Sequence, residues 1–279
     1  MGFKLWVQLF LLLAFIAPHL ASARNLQGSR KGDNRKGIHG VKAYLQRYGY
    51  YVTQNETNSQ TNAFDEALEE SIKSYQKFFK LNVSGALDKE TLDQMAKPRC
   101  GVSDNFTTAG GKLGGSYYAF FPGRRIWAPE KRHLTYGFIH DYPSKYVPQV
   151  MRAFATWEAN THFTFSQAVG GQTADIVLSF ERRDHGDGHP FDGLGGALAH
   201  CFGPIDGRVH FDAQEIWDWG IRILQNDLES VALHEIGHAL GLGHTDVQDA
   251  VMWPTMNFGS RKTRLHDDDI NGIHALYGN

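Results

Sequence analysis

His234-Glu235-Ile236-Gly237-His238 has the spacing of a metal site built on a helix. Histidines four positions apart stand one turn apart on one face, so both imidazoles can share a cation while Glu235 reaches a water on it. Gly241 and Gly243 can end such a helix with positive φ, and His244 then returns as a third ligand. Three neutral imidazoles leave one zinc coordination position open, which separates a reactive site from a structural one. Zinc lowers the pKa of water in that position to about 7. Glu235 can take the proton as this water attacks a peptide carbonyl, then pass it to the leaving amine. The spacing therefore predicts zinc-assisted peptide hydrolysis with Glu235 as general base, and activity that falls in acid as the ligands are protonated and zinc is lost. Beyond His244, Met252 stands within Ala250-Val251-Met252-Trp253-Pro254, a turn context beneath such a site.

A second set of metal-binding side chains lies upstream. His185, Asp187, His200 and His210 offer three imidazoles and a carboxylate, enough to close a tetrahedral shell and hold a structural zinc. Interleaved with them, Asp192, Asp212 and Glu215 supply carboxylates, and Gly193, Gly195 and Ala197 can supply carbonyls, all oxygen ligands suited to calcium. The plainer alternative is that these acids solvate a loop. His189 fits neither set and reads as a surface residue. The histidines are concentrated here: 7 of the 14 fall between His185 and His244.

The elements that must position these groups are legible in part. The helix of the first motif runs from about Leu228 to Leu240. Leu134–Ile139 and Ala174–Phe180 read as strands, with an amphipathic helix over Val147–Ala159 between them, an order that suggests a mixed sheet with helices packed on it. Upstream, Val41, Tyr44, Leu45 and Tyr48 recur at helical spacing, as do Leu68, Ile72, Tyr75 and Phe79 after Asp65-Glu66, and Asp88 can cap a third helix over Lys89–Met95. The predicted organisation is a signal peptide at 1–23, a flexible leader at 24–37, a helical domain at 38–104, a cleavable Gly/Thr-rich linker at 105–114 and a second domain at 115–279. Residues 1–23 carry Lys4, a short apolar run and Ala21-Ser22-Ala23, which reads as a cleaved secretory signal rather than a membrane anchor. An exported chain could be glycosylated at Asn55, Asn82 and Asn105. Hydrophobic residues make up 42% and the net charge is -2, so wholesale disorder is excluded and no basic excess calls for nucleic acid. In an oxidising compartment the two cysteines, Cys100 and Cys201, could form a disulfide.

The full pattern of three histidines, glycine and methionine turn is the metzincin signature. Beside it stand Pro98-Arg99-Cys100-Gly101-Val102-Ser103-Asp104, His185-Gly186-Asp187-Gly188, Pro190-Phe191-Asp192-Gly193 and His210-Phe211-Asp212 with Glu215. Together these resemble the matrix metalloproteinases, and among them the short plant-type members without a C-terminal propeller domain. The resemblance implies an α+β fold: a metzincin-type catalytic domain, a mixed twisted sheet with three helices, preceded by a small three-helix propeptide domain. It implies one catalytic zinc, one structural zinc and calcium, and a secreted endopeptidase acting on extracellular proteins or peptides in the apoplast or matrix, as a monomer without a membrane anchor. It also reinterprets Cys100. In this family the cysteine segment crosses the active-site cleft and its thiolate takes the fourth zinc position, so Pro98, Arg99, Cys100, Gly101 and Asp104 form a propeptide switch, with Arg99 and Asp104 paired. Cutting the linker or modifying Cys100 then switches the enzyme on.

Some positions depart from the family pattern. Cys201 replaces a small residue, Ser103 a common proline, Arg208 an acidic calcium ligand and Gln214 a frequent aspartate. Pro254-Thr255-Met256-Asn257-Phe258 should wall the pocket beside the zinc and favour an apolar residue after the cut bond. Two other functions are conceivable: a catalytically inactive, zinc-stabilised binding module, or a carbohydrate anchor at 38–96, whose helical pattern resembles a cell-wall-glycan-binding fold. Retention of Glu235 beside a complete ligand set argues against the first, since a scaffold needs the imidazoles and not the base; the adjoining cysteine motif argues against the second.

Overall fold

Asp65 accepts a hydrogen bond from the Leu68 amide at 2.8 Å and Asp88 one from the Thr91 amide at 2.9 Å, so two helices begin where the sequence places an acid before an apolar period. The computed structural model describes residues 25–52, 59–104, 118–169, 173–217 and 225–278 and divides the chain into two units, Met1–Ala96 and Lys97–Asn279. The first unit holds α1 (Ile38–Arg47), α2 (Glu66–Phe78) and α3 (Lys89–Met95). Val41, Leu45, Leu68, Ile72, Tyr75 and Phe79 bury the stripe that their spacing predicts. Lys42 is fully buried on α1 and pairs with Asp65 at 2.7 Å.

Residues 25–37 do not form the expected flexible leader. Gly28 donates to the Leu87 carbonyl at 2.8 Å, Leu87 to Ser29 at 2.9 Å and Phe64 to Asp33 at 2.8 Å, while Leu26 is buried. The polar composition hid this because the segment is held by main-chain hydrogen bonds and one apolar anchor, neither of which leaves a periodic signal. The predicted signal peptide, the 105–114 linker, Asn55 and Asn105 lie outside the described residues.

The second unit is built on a six-stranded sheet in the order β1-β5-β6-β4-β2-β3. Its strands are β1 (Arg99–Cys100), β2 (His133–Phe138), β3 (Thr164–Gln167), β4 (Ile176–Glu181), β5 (Ala197–Cys201) and β6 (Arg208–Asp212). Only β5 and β6 pair antiparallel, so the sheet is mixed. Three helices complete it: α4 (Val147–Asn160), α5 (Leu228–Ala239) and α6 (Asp267–Tyr277). The fold is α+β, as expected. Trp157 of α4 is fully buried and donates its indole N–H to the Leu233 carbonyl of α5 at 2.9 Å; Phe154 stacks on Tyr136 of β2. Every residue of α5 is buried, which is why it lacks the polar face of the other helices. Residues 97–104 belong to this unit, so the compact division at Ala96 precedes the domain end expected at 104; their backbone is tied to β5 and to the 254–256 segment. No helix among the described residues is long and apolar enough to cross a membrane.

Candidate metal centre

The three imidazoles of the zinc motif meet at one point. α5 opens on Asp227, whose carboxylate accepts from the Ser230 amide at 2.9 Å, and runs to Ala239. Gly241 then reverses the chain with φ of 101°, in a place where a Cβ would lie 2.9 Å from the Arg125 carbonyl. Gly243, expected to share that role, does not adopt positive φ; its amide donates to the Ala119 carbonyl at 2.8 Å. The turn brings His244 Nε2 to 3.2 Å from His234 Nε2 and 3.1 Å from His238 Nε2.

The opposite ring nitrogens fix the tautomers. His234 Nδ1 faces the Val251 carbonyl at 2.7 Å, His238 Nδ1 the Leu242 carbonyl at 2.8 Å and His244 Nδ1 the Asp104 carboxylate at 2.8 Å. Burial pushes Asp104 up, but Arg99 and His244 outweigh it and hold its carboxyl below the ordinary value, so it too accepts. Each Nδ1 therefore carries the proton and each Nε2 presents a lone pair. Burial pushes all three imidazoles down, which favours the uncharged form. Three lone pairs aimed at one another in a buried site repel unless a cation lies between them, and nitrogen donors in this number suit zinc.

Cys100 closes the set. Its sulfur lies 3.5 Å from His238 Nε2, and the four donor atoms all fall within 4.8 Å of one another. The Val102 amide donates to this sulfur at 3.3 Å, while burial and the Glu235 charge push the thiol up. Both Glu235 oxygens are buried beside the Cys100 thiol, and burial, which outweighs the lowering influence of that thiol, pushes the carboxyl up to about 8. A carboxyl beside the imidazoles has room in its hydrogen bonding for a water or a substrate amine.

The cysteine segment is held as a strand between two neighbours. Arg99 and Gly101 donate to Gly196 and Ala199 at 2.8 and 2.7 Å; Cys100 donates to Pro254 and Met256 to Pro98, each at 2.9 Å. Arg99, wholly buried, pairs with Asp104 and donates from Nε to the Cys100 carbonyl at 3.2 Å. A Cβ at Gly101 would stand 3.2 Å from the Ala199 carbonyl. Cys201 is likewise buried and free, so the two cysteines are not bridged.

The upstream set also converges. Asp187 Oδ2 lies 2.8 Å from His185 Nε2, 2.8 Å from His200 Nε2 and 2.9 Å from His210 Nδ1. β5 supplies His200 and β6 supplies His210, two strands that the apolar alternation did not reveal. Burial pushes His200 down to about 3, leaving a neutral imidazole suited to a metal. Nearby, Gly193 donates to Asp212 at 3.1 Å, Ala197 to Asp192 at 3.0 Å and Gly195 to Glu215. Burial and neighbouring acids raise Asp212 and push Glu215 up to about 8, a crowding of carboxylates that a divalent cation would relieve.

Comparison with known proteins decides the family. Residues 126–278, more than half of the chain, match the matrixin family model, and residues 34–95 match that of a putative peptidoglycan-binding domain. The chain is 42% identical to the Arabidopsis thaliana metalloendoproteinase 5-MMP over 91% of its own length and 74% of that relative. It is 41% identical to Glycine max metalloendoproteinase 1, covering 88% and 84%, and 38% identical to human neutrophil collagenase, covering 93% and 53%. The chain belongs to the matrixin family. This matrixin is a zinc metalloendopeptidase of the short plant type.

Two supports of the matrixin centre escaped the sequence reading. Asp269, at the start of α6, accepts from the Val251 and Met252 amides at 2.9 and 3.0 Å, and so fixes the turn whose carbonyl holds His234. The acidic run Asp267-Asp268-Asp269 after His266 is the signal for the start of α6, where His266 and Asp269 form a capping box, since acids gather at helix starts. The other is Gly237: a Cβ there would stand 2.4 Å from Met252 Sδ, so the methionine turn packs directly on α5.

Proposed function

We propose that this matrixin is a latent, secreted endopeptidase that cuts peptide bonds of extracellular proteins once its cysteine segment is withdrawn. The convergence of three Nε2 lone pairs and the Cys100 sulfur beside the buried Glu235 carboxyl carries this reading. His234, His238 and His244 hold the catalytic zinc, with Cys100 as fourth ligand in the latent form. Zinc bound there would supply Lewis-acid polarisation of a carbonyl and acidify a water. Glu235 takes the proton from the attacking water and returns it to the leaving amine. An extended substrate takes the place of residues 98–101 between the edge of β5 and the 254–256 segment, recognised through main-chain hydrogen bonds. Met256 and its neighbours give that cleft an apolar wall.

His185, Asp187, His200 and His210 hold a structural zinc. Asp192, Asp212 and Glu215, with carbonyls of Gly193, Gly195 and Ala197, hold calcium. Residues 1–23 direct export, residues 24–104 form the propeptide ending in the switch of Pro98, Arg99, Cys100, Gly101 and Asp104, and cleavage in 105–114 releases the catalytic domain from 115. Asn55, Asn82 and Asn105 are glycan acceptors, and the enzyme acts as a monomer on protein or peptide substrates.

Incubating the trimmed enzyme with casein or a quenched peptide tests the chemistry. Cleavage should be lost with a chelator and in Glu235→Ala. No turnover from folded, zinc-loaded protein would instead support an inactive binding module. For latency, Cys100→Ser should yield a precursor that processes itself, and a variant as silent as the parent would refute the switch.

A further inference from the structure

The third imidazole of the centre is supported differently from the other two. His234 and His238 give their Nδ1 protons to main-chain carbonyls of Val251 and Leu242. His244 directs its Nδ1 at a charged side chain, Asp104 Oδ1, at 2.8 Å, with both side chains wholly buried. The same carboxylate oxygen takes the Arg99 guanidinium, so Arg99, Asp104 and His244 form a continuous run of charge-assisted hydrogen bonds. A carboxylate behind a ligating imidazole fixes the ring's orientation and raises its basicity toward the metal. Leu242 lies within the motif that ends at His244 and Val251 in the methionine turn after it, whereas Asp104 sits on the segment that carries Cys100.

We infer that Asp104 is a positioning residue for the third metal ligand, and that it strengthens zinc binding through His244 independently of the Cys100 sulfur. The inference rests on the assignment of His234, His238, His244 and Cys100 as zinc ligands. Withdrawal of residues 98–104 then removes two supports together: the sulfur from the metal and the carboxylate from behind His244. The precursor accordingly holds its catalytic zinc more tightly than loss of one ligand accounts for, and activation leaves His244 to find another acceptor.

The test is zinc affinity of the full chain, measured by competition with a chromophoric chelator in a Glu235→Gln background that prevents self-processing. The measurement is made with Cys100 present and with Cys100→Ser. Zinc at the His185 cluster titrates in the same experiment and serves as an internal reference. Asp104→Ala should lower the affinity of the central site about 10- to 100-fold in both backgrounds. Asp104→Asn, which keeps an accepting oxygen without its charge, should fall between Ala and the parent. A loss seen only when Cys100 is present would overturn the inference, because Asp104 would then act by seating the sulfur. Unchanged affinity in both backgrounds would overturn it as well. Should Asp104→Ala fail to fold, Asp104→Asn decides alone: lower affinity in both backgrounds with a shifted His244 Nδ1 proton resonance supports the inference, and no change in either refutes it. A chain that binds zinc only at the His185 cluster even with Asp104 and Cys100 intact would show that the ligand assignment is what failed.

Discussion

The tautomer of each imidazole in the His234, His238 and His244 set is governed by the acceptor behind it, so residues outside the set decide whether its Nε2 presents a lone pair. Asp269 is the clearest case. Asp269→Ala should leave the buried amides of Val251 and Met252 without partners, at a cost of about 1–3 kcal/mol for each unsatisfied group. Because Val251 also accepts from His234, zinc retention should fall together with the denaturation midpoint, and Asp269→Asn should recover part of both. A variant with lowered stability but parental zinc affinity would show that the turn holds His234 without Asp269. Gly237 is fixed by volume rather than by hydrogen bonding. Gly237→Ala presses a methyl group against the Met252 sulfur and Trp157, and overpacking of this kind costs about 1–3 kcal/mol. Urea unfolding should show the lower midpoint, and a midpoint equal to the parent's would mean that the methionine turn yields without strain.

At the scale of elements, α2 depends on Asp65 in two ways: the carboxylate caps the helix and neutralises the buried Lys42. Burial pushes Asp65 up, but hydrogen bonds from Lys42 and the Leu68 amide outweigh this and hold its carboxyl below 3.8. A carboxyl depressed on folding stabilises the folded state above its unfolded pKa, and that contribution is lost as pH falls through the folded value. The helical unit should therefore hold its stability down to about pH 4 and lose part of it below, where the unfolded chain binds the proton first. Asp65→Asn should remove this acid-sensitive part and lower stability at pH 7 by about 1 kcal/mol or more, since the buried Lys42 ammonium loses the Asp65 charge. Circular dichroism melts from pH 3 to 7 would decide, and parallel curves for variant and parent would exclude Asp65 as the titrating group.

For the whole molecule, ligands that favour only the folded state stabilise it by mass action. If metals bind the two side-chain clusters, a strong chelator should lower the melting temperature of the second unit, and added zinc and calcium should restore it. The helical unit carries none of these ligands, so its own transition should stay in place. A scan in which chelator leaves both transitions unmoved would argue that the clusters are satisfied by protons and hydrogen bonds alone.

Much of the centre was legible in the sequence because its geometry is local. Two histidines one helical turn apart, a glycine that permits a reversal and a third histidine soon after lie so close along the chain that helix geometry brings them together. The apolar stripes of α1 and α2 and the capping acids of α2 and α3 were legible for the same reason. Tertiary structure alone decided what is distant in sequence and has no period: the seating of Asp104 behind His244, the hold of Asp269 on the methionine turn, the contact of Met252 with Gly237, and the anchoring of residues 25–37. The strands β5 and β6 also stayed hidden, because a strand buried on both faces and carrying histidines shows no alternation of apolar and polar residues. Side-chain period records only which face of an element is covered, whereas the partner that covers it is chosen when the chain folds.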